Sequence, residues 1–422
     1  MIYTGIAGVY QYGSSPTDIR RIVRELLGNL LHRGIPILVS WEDKPYVGIN
    51  EIEELSSPIL IQFGFGIDID LFKQANISKE KIVVINGKIY NKAPNEIDET
   101  QIENICGYFS LAIYNIKKRR LEIYRDFLGR KPLFYGYNGE VFVFGSEAKG
   151  FRKVIKPKRL PPGNRIIVEE DGISIEEYYA FESLLETPIQ ADVNKCISLL
   201  EDMLRFSVEQ AVKDGDPAIM FSGGLDSSIL SYMAREIADI GVFSIALPES
   251  RDYIWVKKAA RLLGVELNLK IVNEEEIEEY VHKTVWATEE KDPLKIMIGT
   301  PIYIVCEFIS DSGYKIALAG QGADELFGGY AKYLRLPKEE LSKVLIEDVR
   351  NLAEKNLERD DHVAMANSID LRTPYLSDEI IKLALQMPVE FKVRNGIRKY
   401  ILRKMAERIG VPKEIVNVEK KA

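Results

Sequence analysis

Residues 218–230 read AIMFSGGLDSSIL: an apolar run from Ala218 to Phe221, a Ser-Gly-Gly turn, an aspartate, two serines and a second apolar run. The first run is short and reads as a buried strand, Pro217 to Phe221, while Ser228 to Ile240 carries helical spacing. Gly223 and Gly224 let the backbone approach an anion closely. The free N–H groups of the helix that Ser227 and Ser228 open favour phosphate. No lysine follows the turn, so this is not a GxxxxGK[ST] loop, and charge on a bound phosphate must be offset by a metal. Asp226, inside the loop, is a natural Mg²⁺ ligand. The same junction also has a purely geometric reading, with glycine for the turn and serine for the helix cap.

The flanking chain supports a parallel sheet. Val193 to Val212 has the pattern of an amphipathic helix, Gly241 to Leu247 of a strand and Asp252 to Leu263 of a helix, which together imply βαβ units. A second stretch, IALAGQGADELFGGY at Ile316 to Tyr330, is again an apolar strand ending in glycines, with Asp324 and Glu325 directly after. Parallel strands present their C-terminal ends on one edge, so Asp226 and Asp324 could face the same Mg²⁺–pyrophosphate. From about residue 340 the pattern is helical, ending in EKKA.

Residues 1 to about 180 differ. Short strands at Lys81 to Ile85, Tyr108 to Asn115, Arg120 to Tyr124 and Val141 to Gly145 alternate with turns, KKRR at Lys117 to Arg120 reads as a solvated hairpin turn, and Thr17 to Leu31 reads as a helix. This half is an α+β sheet domain. A chain of 422 residues exceeds one ordinary core, so two domains are expected, 1–180 and 190–422.

An apolar share of 46% is that of a globular protein, and 64 acidic against 56 basic side chains give a net charge of −8. That charge argues against nucleic acid as a partner. Cys106, Cys196 and Cys306 are far apart with no zinc-like spacing. The N-terminus lacks a signal-peptide pattern and no run of eighteen apolar residues suggests a membrane span, so a soluble cytoplasmic protein is expected.

SGGLDSS resembles the pyrophosphate-binding loop of the ATP pyrophosphatase family, whose members cleave ATP to AMP and pyrophosphate. Together with GQGADELFGGY, SIDLRTPYLS at Ser368 to Ser377 and RKYILRK at Arg398 to Lys404, it occurs in the order found in the asparagine synthetase B-type family. The N-terminal half resembles that family's glutaminase domain through GIAGVY, HRG at His32 to Gly34, NGKIYN at Asn86 to Asn91, RDFLGRKPLFYG at Arg125 to Gly136 and FGSEAK at Phe144 to Lys149. The resemblance implies a glutaminase-like α+β sandwich, then an α/β parallel-sheet ATP pyrophosphatase domain (adenine nucleotide α-hydrolase-like) with a helical C-terminal part.

Carried over by position, the resemblance implies that Ser222, Gly223, Gly224, Leu225, Asp226, Ser227 and Ser228 hold the pyrophosphate part of ATP and that Asp226 and Asp324 ligate Mg²⁺. Met220, Ile245 and Gly320 would contact adenosine. Lys421, or its neighbour Lys420, would stabilise negative charge as the adenylate forms. Glu289 and Asp292, with Thr300 and Pro301, and the pair Asp370 and Arg372 lie in segments that shape the acyl-substrate pocket, where Arg372 could pair with a carboxylate or merely fix a loop. His362, beside Asp361, reads as structural.

The chain also departs from the family pattern. Thr4 stands where a freed N-terminal cysteine acts as nucleophile, Lys88 replaces an acidic residue beside Asn86 and Gly87, HRGPD reads HRGIP, and no GTDTE-like segment is present. A glutaminase-like domain without hydrolysis is expected, leaving ammonia or another amine as nucleophile. Gln321 stands where many relatives have a glutamate able to accept a proton, so Glu289 substitutes as base or Gln321 only orients the acyl group. The expected activity is AMP-forming amidation of aspartate through a β-aspartyl-adenylate. The alternatives are a related synthetase acting on another carboxylate, as in relatives resembling β-lactam synthetase, or a non-catalytic nucleotide-binding regulator. A homodimer is a family expectation.

Overall fold

The computed structural model describes residues 2–11, 19–33, 35–40, 59–65, 80–151, 155–185 and 189–418. The chain divides into two compact units, Met1–Phe181 and Glu182–Ala422.

The first unit is built on β1 (Ile2–Gln11), β2 (Ile35–Ser40), β3 (Ile59–Phe65), β4 (Lys81–Ile89), β5 (Gly107–Asn115), β6 (Arg120–Arg125), β7 (Phe134–Tyr137), β8 (Val141–Gly145), β9 (Lys158–Arg159), β10 (Asn164–Glu169) and β11 (Gly172–Glu177). Hydrogen bonding runs in the order β11-β10-β6-β5-β4-β1-β8-β7-β9, with β3 joined to β1 and β2 to β3. Side-chain alternation at period two explains how both faces are used. Ile6 and Tyr10 of β1 share a core with Ala112 and Tyr114 of β5, Leu121 and Ile123 of β6 and Phe142 and Phe144 of β8. One face of the sheet thus carries a continuous core. Ala7 and Val9, on the other face of β1, pack against α1 (Ile19–Leu30). That helix buries Ile19, Ile22, Val23, Leu26, Leu27 and Leu30, one stripe at helical spacing. The KKRR segment closes the β5–β6 hairpin.

The second unit carries β12 (Pro217–Met220), β13 (Gly241–Ala246), β14 (Leu267–Ile271), β15 (Ile316–Leu318) and β16 (Asp370–Arg372). All pairs are parallel, in the order β14-β13-β12-β15-β16. Its helices are α2 (Val193–Val212), α3 (Leu225–Ala234), α4 (Arg251–Leu263), α5 (Glu274–Thr288), α6 (Pro293–Asp311), α7 (Ala323–Phe327), α8 (Lys338–Arg350), α9 (Glu358–Ala366), α10 (Asp378–Gln386), α11 (Val389–Lys392), α12 (Tyr400–Ile409) and α13 (Lys413–Val416). Winding proceeds outward in both directions from β12, so the strand order reverses between β12 and β15. Open parallel sheets bind ligands at such a switch point, off the strands' C-terminal ends. Both glycine loops read from the sequence leave the sheet there.

Two local expectations are corrected. The helix after SGGLDSS begins at Leu225, with Gly224 as N-cap, not at Ser228. Gly224 is in extended conformation, φ −74° and ψ 169°, as an N-cap residue must be, so the turn ends one glycine after Gly223. Asp370 to Arg372 form an edge strand inside the stretch expected to be helical, because three residues are too few to show a period. The nineteen-residue α6 is long and apolar enough by composition to cross a membrane. Here it buries Tyr303, Ile304, Val305, Cys306 and Ile309 within the second unit, and Pro301 lies inside it.

Candidate functional site

The loop between β12 and α3 is tied together by its own serines. Ser222 N donates to Ser227 Oγ at 3.2 Å, the two hydroxyls lie 3.1 Å apart, and Gly224 N donates to Ser222 Oγ at 3.3 Å. Gly223 is left-handed, φ +70°, and a Cβ there would lie 3.0 Å from Trp255 Nε1, which donates to the Gly223 carbonyl at 2.9 Å. Glycine is required on both counts. The Ser228 side chain is wholly buried.

Asp226 occupies the second position of α3, and Asp324 the second position of α7 across the switch point. Their carboxylates converge on one group that sequence reading did not single out. Lys399 Nζ lies 2.5 Å from Asp226 Oδ2 and 2.7 Å from Asp324 Oδ1. Lys399 is 5% exposed and adopts a left-handed backbone, φ +54°, just before α12. Burial alone would lower its pKa, but the charges of Asp226 and Asp324 outweigh burial and hold it above the ordinary lysine value. Gly329 makes room for the group, since a Cβ there would fall 1.8 Å from Asp324 Oδ1. RKYILRK contains Lys399, but no local pattern in it says that this lysine meets an aspartate 173 positions away.

Two carboxylates already meeting at one cation suit a hard divalent ion with oxygen ligands. Asp226 and Asp324 would hold Mg²⁺, which when bound would offset charge on phosphate oxygens. The surroundings suit polyphosphate as well. A cavity of about 420 Å³ runs from Ser222 and Gly224 to a wall of Arg251, Arg398, Lys399 and Arg403. Arg398 Nη1 is fixed by the Gly329 carbonyl at 2.9 Å and Arg403 Nε by the Arg398 carbonyl at 2.9 Å. Beside it, a cleft of about 450 Å³ is lined by Met220, Ile245, Gly320, Gln321, Asp324 and Asp360, among others. The structure thus brings Met220, Ser222, Asp226, Ser227, Ile245, Gly320, Gln321 and Asp324 to one site.

Of the residues expected to shape the acyl-substrate pocket, Pro301 lines the cleft, whereas Asp370, Arg372, Asp292 and Glu289 do not, and the expectation for these four is corrected. Asp370 and Arg372 are each 2% exposed, and strand alternation turns both away from the cleft, toward which Leu371 points. Arg372 donates through Nε to Asp370 at 2.8 Å and through Nη1 to the Ala211 carbonyl at 2.6 Å, and pairs through Nη2 with Asp214 at 2.8 Å. It clamps the edge strand to the end of α2. Arg372→Met is therefore expected to destabilise the protein by about 3–5 kcal/mol, by stranding buried carboxylates. The KM for any acid should be unchanged in the folded fraction, and thermal unfolding beside steady-state kinetics checks both. Asp292 is exposed and caps α6, accepting from Leu294 N at 2.9 Å. Glu289 ends α5 in a left-handed conformation and lies outside the lining of the cleft. Lys420 and Lys421 lie outside the described residues.

A carboxyl group that sequence reading passed over does line the cleft. Asp360 is buried on α9, beside the expected-structural Asp361 and His362, and its Oδ1 accepts from Arg359 Nε at 2.8 Å. Burial raises its pKa, against the Arg359 charge.

In the first unit, Thr4 lies in β1, where the pairing with β3 shifts register between Tyr3 and Gly5, and Tyr3 pairs with Gly87 of β4. Thr4, Asn86 and Gly87 are thus on neighbouring strands. Asn86 is fully buried, with Nδ2 3.4 Å from Ser146 Oγ, and Lys88 Nζ sits 5.8 Å from the Tyr90 ring centroid. HRG and FGSEAK meet in the core, where buried Glu147 is contacted by Arg33 at 2.5 Å, Lys149 at 2.6 Å and His32 at 2.8 Å. Burial pushes the Glu147 pKa up, but the charges of Arg33 and Lys149 and the hydrogen bond from His32 hold it well below the usual carboxylate range.

The profile of the asparagine synthase family matches residues 199–342 and 335–422, just over half of the chain. The chain belongs to the asparagine synthetase family, a family of amide-forming ligases. A glutamine amidotransferase domain profile matches residues 92–159. A putative glutamine-hydrolysing asparagine synthetase of Methanocaldococcus jannaschii is 35% identical over 74% of this chain and 65% of its own length. Asparagine synthetase B of Escherichia coli is 26% identical over 95% of this chain and 78% of its own length. The chain thus spans less than two thirds of the first of these relatives. Among solved structures, a glutamine phosphoribosylpyrophosphate amidotransferase from B. subtilis overlaps 65% of this chain and 70% of its own at 12% identity and a TM-score of 0.33, too distant to bear on the site.

Proposed function

We propose that this chain cleaves ATP to AMP and pyrophosphate to activate a carboxylate, and joins the acyl group to ammonia rather than to nitrogen from glutamine. One observation carries the reading: Asp226 and Asp324 converge on a single cationic point at the mouth of a glycine- and serine-built anion loop. In the first step a carboxylate oxygen bonds to the α-phosphorus and the bond to the bridging oxygen breaks, so pyrophosphate leaves with the electron pair. The N–H groups at the start of α3 and the side chains of Lys399, Arg398 and Arg403 are placed to hold that leaving group. In the second step the amine attacks the acyl carbon and AMP departs. The attacking amine must shed a proton, and Gln321 cannot take it. Asp360, buried in the same cleft with a raised pKa, is the group suited to do so, in place of Glu289.

Aspartate is the acid the family resemblance suggests, with another carboxylate as the alternative. The intact carboxylate pair also argues against a non-catalytic regulator, since such a protein has no chemical need of it. Features of the first unit support ammonia as the nitrogen source. Thr4 stands in β1 where the family has cysteine and could act as an N-terminal nucleophile only with its amine freed, and Lys88 replaces an acid beside Gly87. Purified protein given glutamine is expected to release no glutamate above the buffer rate, and Thr4→Ala to change nothing. Glutamate release lost in Thr4→Ala would overturn the choice of ammonia.

A further inference from the structure

We infer that Arg251 is a catalytic residue of the ATP cleavage proposed above, taking the departing pyrophosphate in a bidentate contact; the inference rests on that reading. Arg251 is the first residue of α4, the helix that follows β13. Residues 251, 255 and 259 recur at every fourth position and so form one stripe along this helix. Two of them are docked on the glycine turn: a Cβ at Gly223 would lie 3.0 Å from Trp255 Nε1 and 3.1 Å from the Ala259 Cβ. Arg251 extends the stripe by about 6 Å beyond Trp255. There it lines the polyphosphate cavity with Ser222, Gly224, Asp226 and Lys399.

Three observations reserve this side chain for an anion. The other cations of the wall are already engaged: Lys399 holds Asp226 and Asp324, Arg398 donates to the Gly329 carbonyl, and Arg403 donates to the carbonyls of Arg398, Val416 and Val418. Arg251 is exposed, and among the described residues it makes no hydrogen bond or ion pair, even with the adjacent Asp252. The five N–H donors of its guanidinium are unspent. A cation in the first turn also faces the positive end of the helix dipole, so α4 gains nothing from an arginine there. The helix is capped instead by Ser250, whose Oγ accepts from Tyr253 N at 3.1 Å. Finally, Arg251 lines this cavity and not the cleft of Met220, Ile245 and Gln321, which puts it on the side of the leaving group rather than of the acid.

As a carboxylate oxygen bonds to the α-phosphorus, the bond from that phosphorus to the bridging oxygen breaks. The electron pair stays on that oxygen, which becomes part of pyrophosphate, and no proton moves. Negative charge therefore grows on the β-phosphate in the transition state. A guanidinium fork placed there binds that state more tightly than it binds intact ATP.

Exchange of labelled inorganic pyrophosphate into ATP, followed with the full chain, Mg²⁺ and aspartate or another carboxylate that supports it, tests this. Arg251→Gln is expected to raise the KM for pyrophosphate and to lower kcat/KM for exchange by about 10–100-fold, the loss of a charge-assisted contact. The KM for the acid should not move. Arg251→Lys keeps the charge but not the fork, so it should recover part of the loss. Arg261→Gln removes an exposed arginine from the other end of α4 and should leave exchange unchanged. Circular dichroism of each variant checks the fold. Normal exchange in Arg251→Gln, or an equal loss in Arg261→Gln, would overturn the inference and leave the synthetase reading standing. No exchange with any acid in the unmodified protein, while Mg²⁺–ATP still binds, would overturn both.

Discussion

Replacing Lys399 with alanine is expected to lower stability in metal-free buffer by about 3 kcal/mol, and to leave a protein that Mg²⁺ stabilises more than it does the unmodified chain. The reasoning is electrostatic. Asp226 and Asp324 are held together by the Lys399 ammonium, which is 6% exposed in its side chain against 18% and 13% for the two carboxylates. Removing the cation leaves two anions face to face in a poorly solvated place, which costs about 3–5 kcal/mol when the pair is fully buried and correspondingly less here. One carboxylate responds by binding a proton, so its pKa rises. A divalent cation then no longer competes with the lysine for the pair. Because ligand binding stabilises by RT ln(1 + [L]/Kd), the shift in unfolding temperature on adding Mg²⁺ reads the difference directly. Equal shifts in both proteins would show that the metal does not use this pair.

Asp226→Ala is expected to reduce acid-dependent exchange of pyrophosphate into ATP by about 10²–10³-fold while leaving the fold intact. Alanine removes the Asp226 half of the Lys399 ion pair, but Asp324 still holds that lysine at 2.7 Å and the backbone carbonyl of residue 226 still accepts from Tyr375 Oη at 3.1 Å. The helix loses an acidic residue from its first turn, worth under about 1 kcal/mol. Activity should fall far more than stability. Circular dichroism and exchange on the same preparation separate the two, and a variant that folds and exchanges at the normal rate would remove Asp226 from the chemistry.

The loop at Ser222 to Ser228 was legible because each residue type has a local reason. Glycine permits the left-handed turn at 223, serine hydroxyls tie the turn to the helix, and an acid in the first turn is paired with the second loop's acid by sheet topology. The parallel sheet followed from the alternation of elements, and the sheet of the first unit from its short strands and turns. The missing parts depend on distant chain. Lys399 meets Asp226 only after 173 intervening residues have folded, and its left-handed backbone has no glycine or asparagine to announce it. Arg372 read equally well as a substrate ligand or as a clamp. Which face of a three-residue edge strand it occupies was settled by packing against α2, through Ala211 and Asp214. Asp360 was hidden within a run of acidic residues, Asp360 and Asp361 after Arg359, where the pattern does not say which one turns inward to the cleft.

The central claim is that the carboxylate pair and the glycine loop serve cleavage of ATP between its α and β phosphates. The measurement that tests it most directly is the identity of the nucleotide product, followed by chromatography during turnover with an accepted acid and ammonia. AMP and pyrophosphate in equal amounts are expected, and ADP with orthophosphate would contradict the account.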